Sequence, residues 1–109
     1  METHPYNDAE RFEEIAQVYL GGYSWGIACV WRDKTTGRLY GDTDSGCSCY
    51  GPFDAAEWPG EITFEKCKEI TCEREAAELL DGVSGEDEPE PSTTQRQDFV
   101  RAVGIALAA

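Results

Sequence analysis

Apolar and polar positions alternate most regularly between residues 23 and 43. Tyr23, Trp25, Ile27, Cys29 and Trp31 fall on one parity; Ser24, Gly26, Ala28, Val30 and Arg32 fall on the other. Successive side chains of a strand point to opposite faces, so the pattern predicts a half-buried strand with one heavy and one light face. Asp33-Lys34-Thr35-Thr36-Gly37 is a polar turn, and residues 38–43 return as the partner strand. Upstream, two patterns compete. Phe12, Ile15, Ala16 and Tyr19 have helical spacing with Asp8 as a cap. Phe12, Ala16, Val18 and Leu20 instead share one parity and run into Gly21-Gly22, where a two-residue hairpin turn belongs. The reading taken is a strand over 12–20, with the helix as its rival.

Downstream the period changes. Glu61, Glu65, Glu69 and Glu73 recur every four residues, but Ile62, Phe64, Cys67 and Ile70 share no helical face with the apolar residues after position 71. The expectation is a short extended segment ending near Ile70, then a helix with Thr71 as its N-cap. Cys72, Ala76, Leu79 and Leu80 supply its apolar stripe, and Asp81-Gly82 closes it. Residues 82–91 are glycine, acid and proline with little else, and read as an acidic flexible linker. Ser92 with Gln95 is a capping box, and Phe99, Val100, Val103 and Leu107 mark a last helix near 93–107 that Gly104 weakens. Residues 1–7 read as a loose end. The predicted fold is a single α+β domain over 1–109: a small antiparallel sheet of two or three strands built on 23–43, with two flanking helices near 72–80 and 93–107.

Charge narrows the partners. The formal charge is −13, and residues 54–91 alone carry 13 acidic against three basic side chains. Such a field repels nucleic-acid phosphates, which excludes direct nucleic-acid binding and leaves a basic partner or nucleic-acid mimicry. Solubility alone is the plainer account of the charge. No apolar run is long enough to span a bilayer, and Met1 to Pro5 lacks the start of a secretory signal, so a cytoplasm is the expected compartment. The five cysteines are an odd number, against a fully paired secreted framework.

The densest chemistry lies in residues 42–53, Asp42-Thr43-Asp44-Ser45-Gly46-Cys47-Ser48-Cys49-Tyr50-Gly51-Pro52-Phe53. Four thiolates from Cys47, Cys49, Cys67 and Cys72 are the zinc reading. It is the minor one, because Cys47-x-Cys49 is tighter than the usual ligand pair and an extended backbone would aim the two sulfurs apart. Calcium fails on register, with Gly46 one place early for an EF-hand-type loop. Redox chemistry needs a depressed thiol, and Asp42 and Asp44 would raise Cys47 and Cys49. Nucleophilic catalysis needs a base, and the one histidine, His4, sits in the expected loose end. No cofactor is expected and no enzymatic activity.

Tyr23-Ser24-Trp25, Val30-Trp31-Arg32, Gly37-Arg38-Leu39-Tyr40, then Thr43-Asp44-Ser45-Gly46-Cys47-Ser48-Cys49 and Pro52-Phe53, resemble a family of small uncharacterised proteins encoded by bacteriophages of mycobacteria and related actinobacteria. The resemblance covers roughly residues 20–54. It implies a domain of unknown function, a phage origin, host cytoplasm and an accessory role, and it supplies no catalytic residues. Aromatics in turn-rich sequence can anchor a partner, and loops on rigid hairpins commonly carry binding residues. The expectation is therefore a non-enzymatic binding protein directed at a host protein. Asp42, Asp44, Ser45, Cys47, Cys49, Tyr50, Phe53 and Trp58 are its candidate contact residues.

Overall fold

The computed structural model describes residues 2–109. Its sheet has four antiparallel strands in sequence order, one or two more than the alternation predicts. They are β1 (Phe12–Leu20), β2 (Ser24–Asp33), β3 (Leu39–Cys47) and β4 (Lys68–Ile70). Helices α1 (Glu73–Leu80) and α2 (Thr93–Ala108) come after them. β1 settles the competition over 12–20 in favour of the strand. β4 is the short extended segment expected before Ile70, and it pairs with β3 through Leu39 opposite Ile70.

β2 is buried on both faces, which is why its light parity is Gly26, Ala28 and Val30 rather than charged residues. Over that light face lie α1 and α2, burying Leu80, Phe99 and Val103 against Ala16, Val18 and Val30. The heavy face carries Trp25, Ile27, Cys29 and Trp31, with Phe12 and Phe53. Phe12, Ala16, Val18 and Leu20 do not share a face, contrary to their parity. A register shift between Glu14 and Ala16 leaves Phe12 in the aromatic cluster and turns Ala16 toward the helices.

The β2–β3 turn is held by Asp33, whose Oδ1 accepts the Thr35 N–H at 2.9 Å and whose carbonyl accepts that of Gly37 at 2.7 Å. Gly37 sits at φ 79°, a left-handed position that favours glycine. The predicted capping box of α2 is present, with Gln95 N–H donating to Ser92 Oγ at 3.1 Å and Ser92 N–H to Gln95 Oε1 at 2.7 Å. α2 buries Phe99 and Val103 with Ala102 and Ala106 packed beside them; Leu107 faces out at 36% exposure. Gly104 marks the approach of α1, where a Cβ would come within 2.9 Å of the Glu73 carboxyl carbon. At the far end of α2 the Ala106 carbonyl accepts from the Ala109 N–H at 3.4 Å and from Arg32 at 3.2 Å, which ties the last turn to β2.

Three local expectations are corrected. Cys72, not Thr71, is the N-cap of α1; the Thr71 hydroxyl and N–H both donate to Glu75 Oε1 at 2.7 Å. Residues 82–91 are docked rather than a free linker: Val83, Gly85 and Pro91 are buried. Glu86 N–H donates to the Ser24 carbonyl at 2.8 Å and Asp87 N–H to that of Gly21 at 3.1 Å. Residues 2–7 are not loose either; Met1 lies outside the described residues. Pro5–Asn7 forms a 3-10 turn, His4 and Pro5 are buried, and Thr3 bridges Thr63. Apolar burial of the proline and two hydrogen bonds on the imidazole offset the entropy of ordering that end.

Candidate functional site

The stretch richest in chemistry is half strand, since β3 continues through Cys47, which lies opposite Ser24. A turn comes next, with Tyr50 N–H donating to the Cys47 carbonyl at 3.4 Å. Gly46 is required there, because a Cβ would lie 2.7 Å from both the Trp25 and Tyr50 rings. The indole N–H of Trp25 donates to the Cys47 carbonyl at 2.8 Å, fixing the strand end over the aromatic face.

The chain then plunges. Phe53 is 1% exposed and adopts φ 49°, a left-handed backbone that side-chain-bearing residues rarely hold without outside support. Support comes from two sides. Asp44 Oδ2 accepts the Phe53 N–H at 2.8 Å, and Asn7 Nδ2 donates to the Phe53 carbonyl at 3.0 Å. The Phe53 ring stacks on His4 at 4.5 Å and meets Trp31 edge-on at 5.6 Å. His4 Nε2 in turn lies 3.0 Å from Asp42 Oδ2. Asp42, Asp44 and Phe53 are thus drawn into holding the loop and the N-terminus on the sheet.

Of the expected contact residues, Ser45, Cys49 and Trp58 are exposed, Asp42, Asp44, Cys47 and Tyr50 are half-buried, and Phe53 is buried. Asp44, Ser45, Tyr50, Trp58, Glu61 and Ile62 line a groove of about 250 Å³. It shares Asp44, Glu61 and Ile62 with a second groove of about 330 Å³ that runs on to Asp42 and Lys66. Trp58 is 40% exposed, stands edge-on to Tyr50 at 5.7 Å, and is presented by a turn that Asp54 caps through the Ala56 and Glu57 N–H groups at 3.0 and 3.1 Å. The groove is an aromatic strip with carboxylates along its rim and one lysine at its far end.

His4 is the functional-type residue that the sequence pattern leaves aside. Its signal is Pro5 directly after it, since proline at the first position of a helical turn leaves the preceding residue to cap. Among the described residues, His4, Asp42 and Cys67 are the group whose potential ligand atoms gather within 4.8 Å of one another. The hydrogen bonds argue against a metal there. His4 Nδ1 accepts the Tyr6 N–H at 3.1 Å, so the proton sits on Nε2 and is donated to Asp42. Metal on Nε2 would move that proton to Nδ1, against the Tyr6 N–H, whereas ligating histidines present their second nitrogen to an acceptor. The same two bonds leave the imidazole no lone pair with which to deprotonate a thiol. Burial, then Asp42 and Glu65, push the Cys67 thiol up to about 12.

The four cysteines of the zinc reading are dispersed. Cys67 packs against the aromatic face, while Cys72 begins α1 on the other, its thiol 3.8 Å from Glu75 Oε1. Cys47 and Cys49 flank the turn, which replaces the extended backbone that would have parted them. A hydrogen bond from the Cys49 thiol holds Cys47 below the ordinary thiol range, contrary to the rise expected from Asp42 and Asp44, and pushes Cys49 up in exchange.

A family model described as a domain of unknown function (DUF7574) matches residues 3–102. The chain belongs to that family. The match takes in both the buried His4 and most of α2, well beyond the 20–54 stretch of the resemblance. No curated protein and no solved structure matches the chain. No helix among the described residues is long and apolar enough to cross a membrane.

Proposed function

We propose that this member of the family is a non-enzymatic binding protein that grips a basic segment of another protein in the groove between β3 and residues 58–62. The observation that carries the reading is Trp58, a large aromatic left 40% exposed above Tyr50 and beside the Asp44 and Glu61 carboxylates. An indole face beside carboxylates suits a lysine or arginine, through cation–π attraction and charge pairing together. Asp42, Asp44 and Phe53 act as scaffold for that surface, and Ser45, Cys49, Tyr50 and Trp58 as contacts. Catalysis is not part of the proposal, since the single histidine is held by two hydrogen bonds that leave it no lone pair to act as a base.

In the setting that the sequence resemblance implies, the protein is a phage accessory factor in the host cytoplasm, and the partner is a host protein. The test is capture from host lysate by immobilised full chain, compared with Trp58→Ala and Glu61→Lys, and then titration of the purified partner. Each variant is expected to weaken the partner about tenfold or more, as truncating an aromatic anchor does. A partner held equally by all three chains overturns the site.

A further inference from the structure

Across the sheet from this groove, β1 is an edge strand that pairs with β2 on one side and, among the described residues, with no strand on the other. Open edges are templates for further strands, and proteins blunt them with bulges and charge. Here the blunting is confined to the first half of β1, where Glu13 and Glu14 precede the register shift. From Ala16 to Leu20 the pairing with β2 is regular and no charged side chain occurs; Gly85 closes on the Leu20 carbonyl, so the open stretch is residues 16–19. Beside that unguarded half, Ala16, Gln17, Val18 and Tyr19 face Gln95, Asp98, Phe99 and Ala102 of α2 across a groove of about 270 Å³. Asp98 is exposed and has no ion-pair partner among the described residues.

We propose that the 16–19 edge of β1 and the adjoining flank of α2 dock an extended basic peptide segment of a partner protein, which adds to the sheet as a fifth strand. The two requirements of strand addition coincide at this place: an unpaired backbone for the main chain, and a groove between strand and helix for alternate side chains. Charge selects the occupant. A chain of −13 repels a second copy of itself and attracts a basic segment, and Asp98 offers such a segment a carboxylate inside the groove. A small apolar side chain fits against Ala16, Val18 and Ala102, with lysine or arginine next to it meeting Asp98. This surface is separate from the Trp58 groove, and the two stand or fall independently.

The experiment uses a synthetic library of ten-residue peptides in which valine or isoleucine alternates with lysine, arginine, threonine or serine. The library is selected on the full chain, and the enriched peptides are titrated against wild type, Asp98→Lys, Ala102→Trp and Trp58→Ala. Binding is expected to fall about tenfold in Asp98→Lys and to be lost in Ala102→Trp, which fills the groove, while Trp58→Ala leaves it unchanged. Peptide addition is expected to slow hydrogen exchange of amides within 16–19 in wild type, a readout that side-chain contact alone would not move. Failure of any peptide to enrich, enrichment that depends on Trp58, or binding without protection of the β1 amides overturns the proposal. So does a wild-type dimer that Ala102→Trp dissociates, because the edge would then belong to a second copy.

Discussion

On one face of the sheet, two helices bury Leu80, Phe99 and Val103 against Ala16, Val18 and Val30. On the other, chain without regular structure over most of its length lays Phe53, Ile62 and Phe64 on Trp25, Ile27 and Trp31. A helix satisfies its own backbone groups and needs help only at its ends, where Ser92 with Gln95 and Arg32 provide it. An irregular cover has no such economy. Its backbone must find side-chain partners, and Asp44, Asn7 and Asp54 are those partners, with His4 and Asp42 tying the first residues to the same cover. The acids that made 42–54 look chemically active are in large part those fasteners.

The sharpest test of this contrast is truncation on each face. Leu80 is fully buried beneath the helices. Leu80→Ala is expected to cost about 2–5 kcal/mol, from lost transfer energy plus the cavity left behind. Urea unfolding should show a lower midpoint with unchanged slope, since the whole domain fails together. His4→Ala removes the stack on Phe53 and the bond to Asp42, at about 1–3 kcal/mol. Its signature should be local: faster hydrogen exchange in residues 2–10 and 48–67, with β2 amides still slow. Uniform acceleration in both variants would mean that the two covers are one cooperative unit and would break the contrast.

That difference also explains what could be read in advance. Residues 24–47 and the two helices carry their burial in a period, 2.0 for strands and 3.6 for helices, so alternation and the Ser92–Gln95 spacing were legible. The shift between Glu14 and Ala16 was not, because a bulge leaves the sequence parity intact while exchanging the faces. The cover of the aromatic face has no period at all. His4 reaches Asp42 across 38 positions and Asn7 reaches Phe53 across 46, and no local spacing encodes either pairing. At the candidate site, Tyr50 and Trp58 were visible as aromatics in a turn-rich segment. Which of their neighbours face the groove and which face inward depended on those distant contacts.

A smaller effect should separate the faces by pH. Asp33 lies at the aromatic end, with its side chain 1% exposed and Arg11 Nη2 at 3.0 Å. Burial alone would push its carboxyl up, but the Arg11 guanidinium and the Thr35 N–H outweigh burial and hold it below the usual carboxylate range. A carboxyl depressed by folding contributes stability that is fully present above its unfolded value, about 3.9, and is lost as pH falls through the folded one. Asp33→Asn should therefore be less stable than wild type at neutral pH, and the gap should narrow below about pH 4. Urea midpoints measured from neutral to acid pH would check this. A constant gap across that range would show that Asp33 acts through its side-chain bond to the Thr35 N–H, and not through its charge.

The mildest probe leaves the chain unmutated and asks its thiols which parts of the cover open. Cys47 stands at the rim, held below the ordinary thiol range by the Cys49 thiol, so a larger share of it is thiolate in mildly alkaline buffer. Cys49 is more exposed but pushed up by the same hydrogen bond and by the charge on Cys47. Under the cover, burial pushes Cys67 up to about 12 and Cys29 higher still. Alkylation by iodoacetamide at about pH 8, then peptide mass analysis, should label Cys47 first and Cys49 after it. Cys67, half-buried with its thiol pushed up, should be labelled slowly, and Cys29 only when the protein opens. The informative pair is Cys67 and Cys29, because the first lies beneath irregular chain and the second within the central strand β2. If the fasteners at His4, Asp42 and Asp44 open ahead of the sheet, Cys67 should react well before Cys29, and His4→Ala should widen the interval. Equal rates for the two would mean that the irregular cover is as firmly closed as the strand it protects.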